Sequence, residues 1–118
     1  MLTDEFLHNL EQADLRESYE GIRYASFDFG GGFTQGYMLF EPQKVLPKFS
    51  FHQSISLLIL EGHAELTIDQ HNHLLRASDL YVIPADKVFS LENVSGKYRL
   101  KILLTSEQPI DFGIRWIH

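Results

Sequence analysis

The sequence has no cysteine, four prolines and a single tryptophan among its 118 residues. Without thiols there is no disulfide staple, thiolate metal site or cysteine nucleophile, and the composition fits a reducing compartment, so a cytoplasmic protein is expected. Positive charge is also scarce: ten Lys and Arg face sixteen Asp and Glu, a formal charge of -6. Nucleic-acid affinity is built on clustered cations, so this domain is not expected to grip DNA or RNA itself. No apolar stretch approaches the length that spans a bilayer, and Met1 leads into Thr3-Asp4-Glu5 rather than a basic leader, so neither membrane insertion nor export is expected. What the chain does have is 44% hydrophobic residues, including nine Phe and five Tyr. That is enough for one core and too little for two, so residues 1–118 are read as one domain.

The opening reads as a helix over residues 1–21. Thr3 can cap it, Asp4 and Glu5 suit the positive N-terminus, Phe6, Leu7, Leu10 and Leu15 recur at helical spacing, and Gly21 stops it. From residue 22 to 118 the period changes to that of a β-barrel. Ile22-Arg23-Tyr24 and Phe27-Asp28-Phe29 read as strand before the turn Gly30-Gly31-Gly32, and Gln35 to Phe40 reads as the next strand. Along Phe49-Ser50-Phe51-His52-Gln53-Ser54-Ile55-Ser56-Leu57 the odd positions are apolar and the even ones polar, apart from Gln53. Such alternation predicts one half-buried strand with Phe49, Phe51, Ile55 and Leu57 turned inward and His52 outward. Ala64 to Ile68 alternates again, and Asp69-Gln70-His71-Asn72 has the composition of a hairpin tip. Leu80 to Ile83, Val88 to Leu91 and Tyr98 to Leu104 supply further strands, and the closing Ile114-Arg115-Trp116-Ile117-His118 is too apolar for a solvated tail. Short strands divided by turns are the pattern of an antiparallel sandwich or barrel.

The stretch from Phe49 to Asn93 resembles the cupin superfamily, whose second motif reads G-x5-P-x-G-x2-H-x3-N. Laid on Ser78 to Asn93, it finds its proline in Pro84 and its asparagine in Asn93, while its glycines fall on Ser78 and Asp86 and its histidine on Phe89. The first motif, G-x5-H-x-H-x3-E-x6-G, closes on Gly62, which puts its histidines on Phe49 and Phe51 and its glutamate on Ile55. The resemblance implies an all-β jelly-roll barrel, the double-stranded β-helix, with a short N-terminal helix. It also implies that all four metal-ligand positions are apolar. Rings and an isoleucine offer no nitrogen or oxygen donor at about 2 Å, so neither a metal nor another cofactor is expected. The runs Ser56 to Asp69 and Ser78 to Pro84 look like the N-terminal sensor domain of arabinose-regulator-type (AraC) transcription factors. In that family such a domain binds a small effector or mediates dimerisation, while a separate helix-turn-helix domain reads DNA.

The expected ligand-binding residues are therefore Phe49, Phe51, Ile55 and Phe89, with Tyr37, Tyr81, Tyr98 and Trp116 as polar-tipped additions. No spacing pairs carboxylates for acid–base work and no nucleophile elbow appears, so no catalytic residue is assigned. His52, His63, His71 and His73 invite a metal hypothesis, but His52 faces outward and His71 falls in the turn, so surface histidines are the simpler reading. The leading expectation is an effector-sensing, homodimerising domain of a regulator. The alternatives are a stand-alone cupin enzyme of isomerase or dioxygenase type, and a structural dimerisation module with a filled barrel.

Overall fold

A computed structural model describes residues 9–28 and 32–108. Within them the alternating segments become ten strands: β1 (Arg16–Tyr19), β2 (Ile22–Asp28), β3 (Thr34–Phe40), β4 (Val45–Phe49), β5 (Ile55–Glu61), β6 (His63–Ile68), β7 (His71–Arg76), β8 (Leu80–Ile83), β9 (Phe89–Asn93) and β10 (Leu100–Ser106). They form a six-stranded sheet in the order β1-β2-β3-β10-β5-β8 and a four-stranded sheet in the order β4-β9-β6-β7. Neighbouring strands in both run antiparallel.

Period-two burial closes the roll. In β10, Leu100, Ile102 and Leu104 are buried while Lys101, Leu103 and Thr105 between them are half-buried. Ile55, Leu57 and Ile59 of β5, Ala64, Leu66 and Ile68 of β6, and Phe89 and Leu91 of β9 complete the core between the two inner faces. Each fully buried Leu or Ile contributes about 1.5–3 kcal/mol relative to exposure, so the alternation that names the strands also drives the sheets together. Among the described residues no helix is long and apolar enough to cross a membrane.

Three expectations change in detail. The helix expected over 1–21 is, among the described residues, one 3-10 turn, Leu10–Gln12, capped by the Asn9 side chain, which accepts from the Glu11 backbone N–H at 2.9 Å. Residues 16–19 pair with β2 instead, and Gly21, at φ +76°, turns the hairpin between them. A short helix is marginal in water, whereas a ladder partner satisfies the same backbone groups. The expected residues 1–8 of that helix, most of the Gly30-Gly31-Gly32 turn and the apolar stretch 114–118 lie outside the described residues.

The second change is at Phe49 to Leu57, which is two strands. β4 ends at Phe49 in the four-stranded sheet, and β5 begins at Ile55 in the six-stranded sheet. Alternation survives the corner because both halves keep the same face inward. Gln53, the residue that breaks the pattern, sits at the corner and clamps the chain after β10: its Nε2 donates to the Gln108 carbonyl, and its Oε1 accepts from the Gln108 N–H, both at 2.9 Å. The third change is at the β6–β7 hairpin, which turns on Asp69 and Gln70 alone, at φ +51° and +65°. Two consecutive left-handed residues match the right-handed twist of a two-residue hairpin, which leaves His71 and Asn72 in β7.

Candidate functional site

The corner after β4 and the loop after β8 bring the expected ligand positions together. Phe49 and Phe89 lie directly opposite each other on β4 and β9, with ring centroids 4.2 Å apart. Phe51, in the corner, meets the Phe49 ring edge-on at 5.1 Å and lies 6.0 Å from Phe89. Phe49, Phe89 and Ile55 are 3%, 1% and 1% exposed, whereas Phe51 is half-buried and forms the outermost ring. Aromatic pairs at these separations contribute beyond their buried area, so the cluster is cohesive in its own right. The Asp86 backbone N–H donates to the Phe51 carbonyl at 2.7 Å, fastening the loop after β8 against the same corner.

The other expected residues separate. Tyr81 lies opposite Leu57, packs against the core and approaches the His73 ring at 5.3 Å, linking β8 to β7, edge strands of the two sheets among the described residues. Tyr37 is buried but lies in the outward row of β3, opposite Ala25 and Leu103, while the inward row holds Met38 and Phe40. It therefore cannot share a cavity with the Phe cluster. Tyr98 is 63% exposed beneath the Lys97 ammonium, before β10 begins. Trp116 lies outside the described residues. His52, His63 and His71 are exposed, and His52 Nδ1 lies 3.0 Å from Asp86 Oδ1. Among the described residues no three His, Asp or Glu side chains converge as metal donors.

The positions that align with the cupin motif glycines share a backbone feature. Counting G-x5-H back from Phe49 puts the first motif's opening glycine on Gln43. Gln43, Gly62, Ser78 and Asp86 have φ of +64°, +96°, +78° and +65°, so all four glycine positions keep the left-handed turn. A left-handed L-residue costs roughly 1–2 kcal/mol, partly offset by the greater unfolded-state freedom of glycine. Gln43→Gly and Ser78→Gly are accordingly expected to raise stability by about 0.5–1 kcal/mol each, read as a higher urea midpoint at unchanged m-value. Asp86→Gly should come out nearer neutral, since Asp tolerates this region.

Asn93, the closing residue of the second motif, is fully buried. Its Nδ2 donates to the carbonyls of Phe40 (3.3 Å), Glu41 (3.2 Å) and Tyr98 (2.9 Å), while its Oδ1 accepts from the Ser95 N–H at 3.0 Å. It ties the end of β3 to the approach to β10. Its importance is packing and hydrogen bonding.

The two-sheet antiparallel roll, the four left-handed turns and the asparagine clasp together define a cupin fold. No family model and no curated protein matches the sequence. Among solved structures, the cupin domain of Cnp3 from Schizosaccharomyces pombe superposes with a TM-score of 0.74 at 19% identity, covering 85% of this chain and 72% of that one. KdgF from a Halomonas species gives 0.74 at 18% identity, covering 90% and 96%. A cupin superfamily protein from Desulfitobacterium hafniense gives 0.70 at 20%, covering 90% and 94%.

Proposed function

We propose that this chain is a metal-free sensor and dimerisation domain of the kind AraC-type transcriptional regulators carry, working in the cytoplasm and leaving DNA contact to another module. The observation that carries this reading is the Phe49–Phe51–Phe89 cluster. Ring carbon stands where a cupin metal centre needs nitrogen and oxygen donors, and the three rings form one aromatic surface. Such a surface takes flat rings and the apolar faces of sugars by stacking. Partnering with a second copy is supported by β8, an edge strand of the larger sheet among the described residues, where Leu80 and Val82 are each 61% exposed with no charged residue among the strand's four. An uncharged, exposed edge strand is a ready pairing surface.

The test is metal analysis and light scattering on purified protein, followed by thermal-shift screening with monosaccharides and aromatic rings. Expected results are a dimer mass, substoichiometric metal, and a stabilising compound whose effect is lost in Phe51→Ala. Stoichiometric iron, zinc or nickel would instead favour a stand-alone cupin enzyme. A second reading, a structural dimerisation module with a filled barrel, is favoured by the 4.2 Å approach of Phe49 and Phe89. It predicts the dimer without any stabilising compound.

A further inference from the structure

Charged side chains converge at one place away from the aromatic cluster. The turn Leu10–Gln12 and the extended residues after it lie over the outer face of the six-stranded sheet and border with it an open cleft of about 340 Å³. Arg23, Arg99 and Lys101 line it, together with Tyr37, Leu39, Glu11 and Asp14. Three cations and two carboxylates line it, and Glu41 and Glu61 pair with Arg23 and Lys101 from outside the lining. Leu39 on β3 is paired with Arg23 on one side and Lys101 on the other. Those two cations therefore stand two strand spacings apart, roughly 10 Å at the backbone, across an apolar side chain.

Their present partners show what the site prefers. Lys101 Nζ lies 2.8 Å from Glu11 Oε1 and 3.0 Å from Glu61 Oε2, and only 18% of its side chain is exposed. The hydrogen bond to Glu11, followed by that to Glu61, raises the ammonium pKa, and the same contact holds the Glu11 carboxyl below its usual range. Arg23 reaches Glu41 at 3.3 Å, whereas Arg99 has no ion pair among the described residues. The Tyr37 phenol, its pKa raised first of all by burial, stays a neutral donor beside them. Glu11 is 71% exposed, so its carboxylate can be exchanged for one from solution while Glu61 still holds Lys101.

We infer that this cleft binds a small dicarboxylate. Lys101 and Arg99 take one carboxylate in place of Glu11, Arg23 takes the other, and Leu39 and Tyr37 lie beneath the carbon chain between them. The site is on the opposite face of the sheet from Phe49, Phe51 and Phe89, so it stands or falls independently of the reading above. Titration of the full chain with succinate and glutarate, followed by amide NMR, tests it, with butyrate and 1,5-pentanediol as comparators. Saturable shifts confined to residues 10–15, 23, 37–39 and 99–101 are expected, with the dicarboxylates about tenfold tighter than butyrate and the diol inert. Lys101→Met and the more exposed Arg23→Gln should each weaken binding about tenfold, and Glu11→Gln should tighten it by removing the resident competitor. The absence of saturable shifts, shifts centred on Phe51 and Phe89, or binding unchanged in folded Arg23→Gln would overturn the assignment.

Discussion

Replacing Asn93 with leucine is expected to cost about 3–5 kcal/mol, a large share of the stability of a domain this size. The side chain is close in volume and the site is fully buried, so the loss comes from hydrogen bonding rather than from a cavity. The Phe40, Glu41 and Tyr98 carbonyls lose their shared donor and the Ser95 N–H loses its acceptor, and an apolar side chain can replace neither. Asn93→Asp is the sharper companion. Its carboxylate still accepts from Ser95 but faces three carbonyl oxygens, so burial and repulsion push its folded pKa above the unfolded value. The folded state then binds more protons than the unfolded one, and the variant should lose further stability as pH rises through the carboxylate range toward neutrality. Urea titrations at acidic and neutral pH read both effects. If Asn93→Leu unfolds at the wild-type urea midpoint, the asparagine is not the clasp between β3 and the approach to β10.

Much of this architecture is written in the sequence because period-two burial and the core are the same fact seen twice. β5, β6 and β10 stand where alternation puts them, and Phe49, Ile55 and Leu57 face the core as their parity requires. Parity says nothing about which sheet a residue belongs to, so the corner between Phe49 and Ile55 lies within an alternation that is broken once. Its one trace was Gln53, a polar residue at an odd position, which clamps Gln108. The same blindness explains Tyr37. As a candidate it was chosen for its chemistry, but only the strand register shows that it lies in the row opposite Met38 and Phe40. The N-terminal helix failed for a different reason. The spacing of Phe6, Leu7 and Leu10 fits an amphipathic helix, yet the strand pairing that claims Arg16–Tyr19 depends on β2, which no local window contains.

The left-handed turns hold different residues in one kind of backbone conformation. Gln43, Ser78 and Asp86, at φ of +64°, +78° and +65°, lie in or near the small region that L-residues visit at modest cost. Glycine and these side chains can thus occupy the same turn without rebuilding it.

Gly62 is the one motif glycine that remains, and its surroundings explain why. Its φ of +96° lies beyond that region, and a Cβ there would sit 2.6 Å from the Arg99 carbonyl oxygen and 3.1 Å from Leu100 Cα. Both obstacles are backbone atoms at the entry to β10, which is laddered to β3 on one side and β5 on the other, so neither can recede without opening a sheet. Gly62→Ala is therefore expected to cost about 3–4 kcal/mol, combining the conformational penalty with a clash that cannot relax. Gly32 provides the control. Its φ is +94°, almost the same, but a Cβ there meets nothing within 4 Å. Gly32→Ala should cost only the conformational part, about 1–2 kcal/mol. The difference between the two variants, measured by urea denaturation under identical conditions, isolates the steric contribution of the β10 backbone. Equal losses would mean that the turn's hand alone, and not the approach of Arg99, has kept this glycine in place.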